Sequence, residues 1–170
     1  MQLASKGMGL RVIGVDHGSK AELVKESGAE HFVDVTQFPS DDKGEAISAH
    51  VRSLADGLGA HGVIVCTSSN AAYAQGVQFL RFNGTLVCVG VPENELQPIA
   101  TAYPGAMILK HTTITGSAVG SRSDAIETLN FAARGILKSH VRTEKLEKLT
   151  DIFKDMEGGK LQGRVVVELP

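Results

Sequence analysis

The sequence predicts an α/β fold with a doubly wound parallel sheet, and three observations carry that expectation. Short apolar runs alternate with helical stretches, the pattern of right-handed βαβ units. One run, RVIGVDHGSK at 11–20, passes from a β-branched strand into a single carboxylate, Asp16, and then into a Gly-containing turn. Other apolar runs also end in small or polar residues, at Thr67, Ser68 and Ser69 and again at Ser117.

A chain of 170 residues buries one good core, so one compact unit is expected. Its 42% hydrophobic and 21% charged residues are those of a globular chain, and 19 Gly against 5 Pro suit many short turns. A net charge of -2 with scattered Lys and Arg gives no electrostatic footprint for nucleic acid. No apolar run approaches the roughly 18–20 residues that cross a bilayer, and MQLASKGMGLRV lacks the unbroken apolar core of a secretory signal. Cys66 and Cys88 each sit in an apolar run and read as buried free thiols of a reducing compartment, which points to the cytoplasm.

Taken in order, Met1 to Met8 reads as the tail of a helix ended by Gly7 and Gly9, so the helix is expected to have lost what preceded it. Arg11 to Val15 is a strand, and Ser19 can cap a helix from Lys20 to Ser27. His31 to Val35 is a strand; a polar linker with Pro39, Asp41 and Asp42 leads to a helix ending near Leu54. Gly62 to Ser69 forms a strand, Asn70 can cap a helix from Ala71 to Arg81, Phe82-Asn83-Gly84 turns the chain, and Thr85 to Gly90 is a further strand. Pro98 and Pro104 break any long helix between Glu93 and Met107. Thr112 to Ser117 is the last strand of the sheet; helices at Asp124–Ala133 and Leu146–Met156 and a strand from Arg164 to Leu169 complete the chain.

Gly57-Leu58-Gly59-Ala60-His61-Gly62 fits G-x-G-x-x-G but follows a helix and precedes a strand. A phosphate loop needs the reverse order, so this match reads as an αβ turn. Ligands in open α/β sheets bind outside the C-terminal ends of the strands. That rule selects Asp16, Thr67 to Ser69, Val89 to Val91 and Ser117 to Val119. Taken singly, Asp16 could cap a turn, Thr67 to Ser69 could cap a helix, and the Val-containing segments could be plain loops. Their common edge favours a ligand. A carboxylate at Asp16 accepts hydrogen bonds from both hydroxyls of an adenosine ribose and repels a 2′-phosphate, so NAD is preferred over NADP. Lys20 can reach the ribose or its phosphate, or can lie solvated on a helix start.

GLRVIGVDHGSK, GAHGVIVCTSS, FNGTLVCVGVP, ITGSAVGSRSD, FAARGILKSHV and MEGGKLQGRVVVELP together resemble the zinc-dependent medium-chain alcohol dehydrogenases, especially the fungal tetrameric type. The resemblance implies a Rossmann-like domain over 1–118, and over 119–170 a segment that returns to the catalytic domain. It implies that Asp16 binds the adenosine ribose with Lys20 beside it, and that the backbone at Val89, Val91 and Val119 holds the nicotinamide carboxamide. It further implies that Arg164 pairs with the pyrophosphate, and that subunits join through the edge strand Thr112 to Ser117.

The resemblance covers only the second half of such an enzyme. The family's zinc ligands, its Gly-rich loop and the central first strand would lie in the other half, and the two cysteines here have no zinc-ligand spacing. The slot for that strand falls between the strands containing Val12–Val15 and Val63–Val65, leaving two apolar strand edges unpaired. The implied function is the cofactor-binding portion of an NAD-dependent alcohol dehydrogenase, with the chain alone inactive and binding NADH weakly or not at all. Two alternatives are an interaction module that joins full-length subunits by its edge strand, and a zinc-free quinone-reductase-like enzyme, which would favour NADP.

Overall fold

The computed structural model describes residues 1–39, 43–92 and 97–169. Strands β1 (Ile13–Asp16) and β2 (His31–Asp34) pair in parallel, Ile13 opposite His31 and Asp16 opposite Asp34. Strands β3 (Ala60–Val65), β4 (Leu80–Cys88) and β5 (Thr113–Gly116) form a second parallel group in that order. The predicted Rossmann-like pattern is therefore present, with β1 and β3 each paired on one side among the described residues. A third parallel pair joins β6 (Val141–Lys145) to β7 (Arg164–Glu168).

Helices α1 (Ala21–Glu26), α2 (Glu45–Leu54) and α3 (Asn70–Phe79) connect these strands, followed by α4 (Pro104–Lys110), α5 (Arg122–Ala133) and α6 (Leu149–Glu157). Ile47 and Val51, one turn apart on α2, pack with Val33 of β2 and Phe79 of α3. Tyr73 and Val77 make the equivalent stripe on α3 and bury Val65, Leu80 and Leu86. The opposite face of β3 is bare: Ile64 is 66% exposed, although a parallel strand is expected to be covered on both faces. At the N-terminal ends of the strands, Arg11 bonds Glu30 before β2 at 2.9 Å and Asp56 in the α2–β3 turn at 3.1 Å, tying the two strand groups together.

Several local expectations are corrected. Residues Leu3–Gly7 form a π-helical turn. Ser19 does not cap the helix after β1; the His17 ring accepts from Ser19 N, and a 3-10 turn at Gly18–Lys20 leads into α1. Ser69, rather than Asn70, caps α3 by accepting from Ala72 N. That helix stops at Phe79, and Phe82-Asn83-Gly84 is not a free turn but a bulge inside β4, with Asn83 at φ 60° and a register shift opposite Ala60 and Gly62. Pro104 was expected only to break helices, yet it opens α4, where its missing N–H costs nothing. The strand β6 carries no apolar alternation and was not expected at all. Asp41, Asp42 and residues 93–96 lie outside the described residues.

At α5, Ser121 Oγ accepts from Asp124 N while Asp124 Oδ2 accepts from Ser121 N at 2.7 Å, a reciprocal capping box. Donation from Ser121 N and from Ser121 Oγ, the latter at 2.8 Å, to Asp124 Oδ2 holds the carboxyl below its usual range. Because its folded value is depressed, the stabilisation is complete above the unfolded carboxylate value and is lost as pH falls through the folded one. The protection factors of amides in the first turn of α5, rates taken relative to intrinsic exchange at the same pH, should therefore fall in wild type as the pH drops through that acid window. Asp124→Asn should show the lower protection throughout, with no step in that window. An unaltered profile in the variant would remove the cap from this account.

Candidate functional site

Within each strand group the parallel register brings the expected strand ends together: Asp16 beside Asp34 in one, and Val65 beside Cys88 beside Gly116 in the other. The loops that follow are stitched together by backbone bonds. Val89 N and Gly90 N both donate to Val65 O, at 3.1 and 2.9 Å, and Ser117 N donates to Cys88 O at 2.9 Å. Thus Thr67 and Ser68, Val89 and Val91, and Ser117 through Val119 line neighbouring loops, with Thr67, Ser68, Val89, Val91, Ser117 and Val119 all exposed. Val119 is 99% exposed and sits at φ 48°, a costly conformation for a β-branched residue.

Asp16 is exposed at the tip of β1. One of its oxygens accepts from His17 N at 2.7 Å, and among the described residues it makes no ion pair. Its neighbour Asp34 is occupied differently: Thr36 Oγ1 and Thr36 N both donate to Asp34 Oδ1, and these bonds hold its carboxyl below the usual range. Of the two facing carboxylates, Asp16 is therefore the one with acceptor capacity left for a ligand. Lys20 is half-buried, and its ammonium donates to Leu161 O and, at 3.4 Å, to Gly159 O. Arg164 is exposed at the start of β7, its backbone N bonded to His140 O at 2.8 Å.

Two residues shape these loops: Gly90, inside the selected segment Val89 to Val91, and Tyr73, which the sequence did not single out. Gly90 lies so close to the β3 loop that a β-carbon there would stand 2.2 Å from Thr67 O. Tyr73 Oη, delivered from the buried face of α3, donates to Gly90 O and pins the same loop; burial raises its phenol above the ordinary value. Gly90 had a signal, a glycine inside VGVP at a strand end, whereas nothing in the sequence distinguishes Tyr73 from an ordinary core aromatic. Gly90→Ala forces the Thr67 backbone to move, and about 1–3 kcal/mol of stability should be lost. A melting temperature equal to wild type would contradict the close approach.

The thiols differ from expectation: Cys66 is exposed, and only Cys88 is half-buried, its thiol pushed up by burial. Four of the six histidines make local contacts. His17 caps a turn, His111 stacks on Phe82 at 4.9 Å, His61 meets Arg81 at 2.9 Å, and His50 lies 5.4 Å from Phe38. Among the described residues no three His, Cys, Asp or Glu side chains stand close enough together to hold a metal ion, so zinc ligation is not assigned to them.

A parallel sheet whose acidic, polar and loop residues converge on its C-terminal edge defines the Rossmann-like class of α/β proteins. A family model described as zinc-binding dehydrogenase matches residues 1–134, and the chain belongs to that family. It is 71% identical over 170 residues to alcohol dehydrogenase 2 of Emericella nidulans, covering 99% of this chain and 46% of that protein. It is 37% identical to alcohol dehydrogenase 2 of Caenorhabditis elegans, covering 96% of this chain and 44% of that protein. The crystal structure of an alcohol dehydrogenase from Aeropyrum pernix superposes with a TM-score of 0.82 at 26% identity, over 99% of this chain and 45% of that one. The chain thus spans about half the length of the relatives it matches.

Proposed function

We propose that this chain is the cofactor-binding portion of an NAD-dependent alcohol dehydrogenase, in which hydride passes between an alcohol and NAD. The observation that supports it best is the exposed Asp16 carboxylate, without an ion-pair partner among the described residues, at the C-terminal end of its parallel strand, the end from which the loops after β3, β4 and β5 also leave theirs. In this reading Asp16 accepts hydrogen bonds from the adenosine ribose hydroxyls, with Lys20 beside it. Thr67 and Ser68 line the crevice, the backbone at Val89, Val91 and Val119 holds the nicotinamide carboxamide, and Arg164 pairs with the pyrophosphate. Residues 1–118 form the NAD-binding part and 119–170 the segment that joins the catalytic part.

Among the described residues no Gly-rich turn leads from a strand into a helix, so the pyrophosphate lacks its usual cradle of backbone N–H groups there. NADH should therefore bind the chain alone only weakly, and ethanol should not be oxidised by it. Zinc belongs to the complete enzyme in this reading, and the site of action is the cytoplasm; no helix among the described residues is long and apolar enough to cross a membrane. The quinone-reductase alternative is disfavoured by Asp16, whose charge opposes a 2′-phosphate.

Among the described residues the mostly exposed strand β5 pairs on one side only, against β4, which supports subunit pairing through its other edge. Thr115→Pro, which removes a strand N–H and inserts a ring, should shift the assembly to monomers by light scattering. An unchanged mass would argue against this edge. To test the cofactor reading, this chain should replace the matched segment of the Emericella nidulans enzyme. The chimera should oxidise ethanol with NAD, and a folded chimera inactive with NAD would overturn the proposal.

A further inference from the structure

Resting on the reading above, we infer that Gln162 is a positioning residue for Arg164: it latches the loop that carries Arg164 to the turn that carries Asp16. Gln162 Nε2 donates to Ser19 O at 2.9 Å, across 143 positions of sequence. The same turn sends Lys20 Nζ to the carbonyls of Gly159 and Leu161. On its other side the loop is fixed to β6 through Arg164 N and His140 O, and by Gly163, whose φ of 72° and close approach to His140 admit no side chain.

Lys160 to Gln162 have no regular structure and lie between two glycines in left-handed conformations, Gly159 at φ 65° and Gly163 at φ 72°. Such a segment has many alternatives open to it, and each bond to the Asp16 turn removes some of them. Arg164 follows two residues after Gln162, so the latch sets where its guanidinium starts relative to Asp16. A ligand that engages both residues gains from this arrangement, because the ordering is complete before it binds. A ligand that engages Asp16 alone does not.

The test is amide-shift titration of the 170-residue chain with two probes, adenosine diphosphate ribose, which carries the pyrophosphate, and adenosine, which does not. Gln162→Ala should weaken adenosine diphosphate ribose about fivefold, the size of one neutral hydrogen bond, and leave adenosine unchanged. The near-isosteric Gln162→Glu, which lacks the N–H donor, should do the same. In an Arg164→Met background, either change should have no further effect on adenosine diphosphate ribose, because the latch acts through Arg164. Equal loss of both probes, no loss of either, or a loss that persists in the Arg164→Met background would overturn the inference. If Arg164→Met and Asp16→Gly weaken the pyrophosphate probe while the Gln162 variants do not, only the latch fails. If the unsubstituted chain shows no binding of that probe, the same titrations are made in the chimera with the Emericella nidulans enzyme, where absence of binding overturns the cofactor reading and the latch together.

Discussion

In the chimera with the Emericella nidulans enzyme, Asp16→Gly should lower kcat/KM for NAD about 30-fold, the effect of about 2 kcal/mol in charge-assisted hydrogen bonds to the ribose. The same change removes the negative charge that opposes a 2′-phosphate, so kcat/KM for NADP should rise and the preference should narrow by more than the NAD loss alone. Asp34 is a built-in control. It faces Asp16 in register but is engaged by Thr36, so Asp34→Asn should leave the NAD to NADP ratio within about twofold, in the range of a surface change away from the ligand. Steady-state kinetics with both cofactors decides the matter. An unchanged ratio in Asp16→Gly would remove the ribose role, and an Asp34→Asn effect as large as that of Asp16→Gly would assign the role to the wrong carboxylate.

The largest stability effect is expected at Leu86. It is 0% exposed in β4 and enclosed by Val65, Tyr73, Val77 and Leu80, with Val63 and Ile114 packed around them. Leu86→Ala removes three carbons from a site hemmed in by two neighbouring strands and a helix, which leaves little freedom to collapse. The cost should be about 2–5 kcal/mol, a large share of the roughly 5–15 kcal/mol typical of a whole domain. Urea unfolding should show a lower midpoint with an unchanged slope. By contrast Ile64→Ala, one register position away and 66% exposed, should change stability by no more than about 0.5 kcal/mol. Similar costs at the two positions would mean that the bare face of β3 is covered and the described packing is wrong.

The parallel strands and the polar residues at their C-terminal ends were legible because their signals are local. A β-branched run closing on one carboxylate marks β1 and Asp16, and the GLGAHG turn is excluded as a phosphate loop by order alone; in the fold it joins α2 to β3 with Gly57 at φ 75° and Gly59 at φ 104°. What escaped was set by tertiary contact. The strand β6, VRTEK, is mostly exposed and charged, and it is a strand only because β7 pairs with it. Pro104 signals a break in either direction, and only the chain after it decides that it starts a helix. Cys66 looks like Cys88 in sequence, yet it lies beyond the end of β3, outside the core. The bonds from Gln162 to Ser19 and from Lys20 to Leu161 span more than 140 positions, beyond any periodicity. Lys20 illustrates the difference: its place beside Asp16 was readable, whereas its two carbonyl partners were not.

The central claim is that these residues bind NAD for alcohol oxidation, and the chimera's kcat/KM with ethanol tests it most directly when measured in parallel with NAD and NADP. The account predicts turnover with NAD, a clear preference for NAD over NADP, and loss of that preference in Asp16→Gly. A folded, zinc-loaded chimera that oxidises no alcohol with NAD, or that uses both cofactors equally before Asp16 is changed, would contradict it.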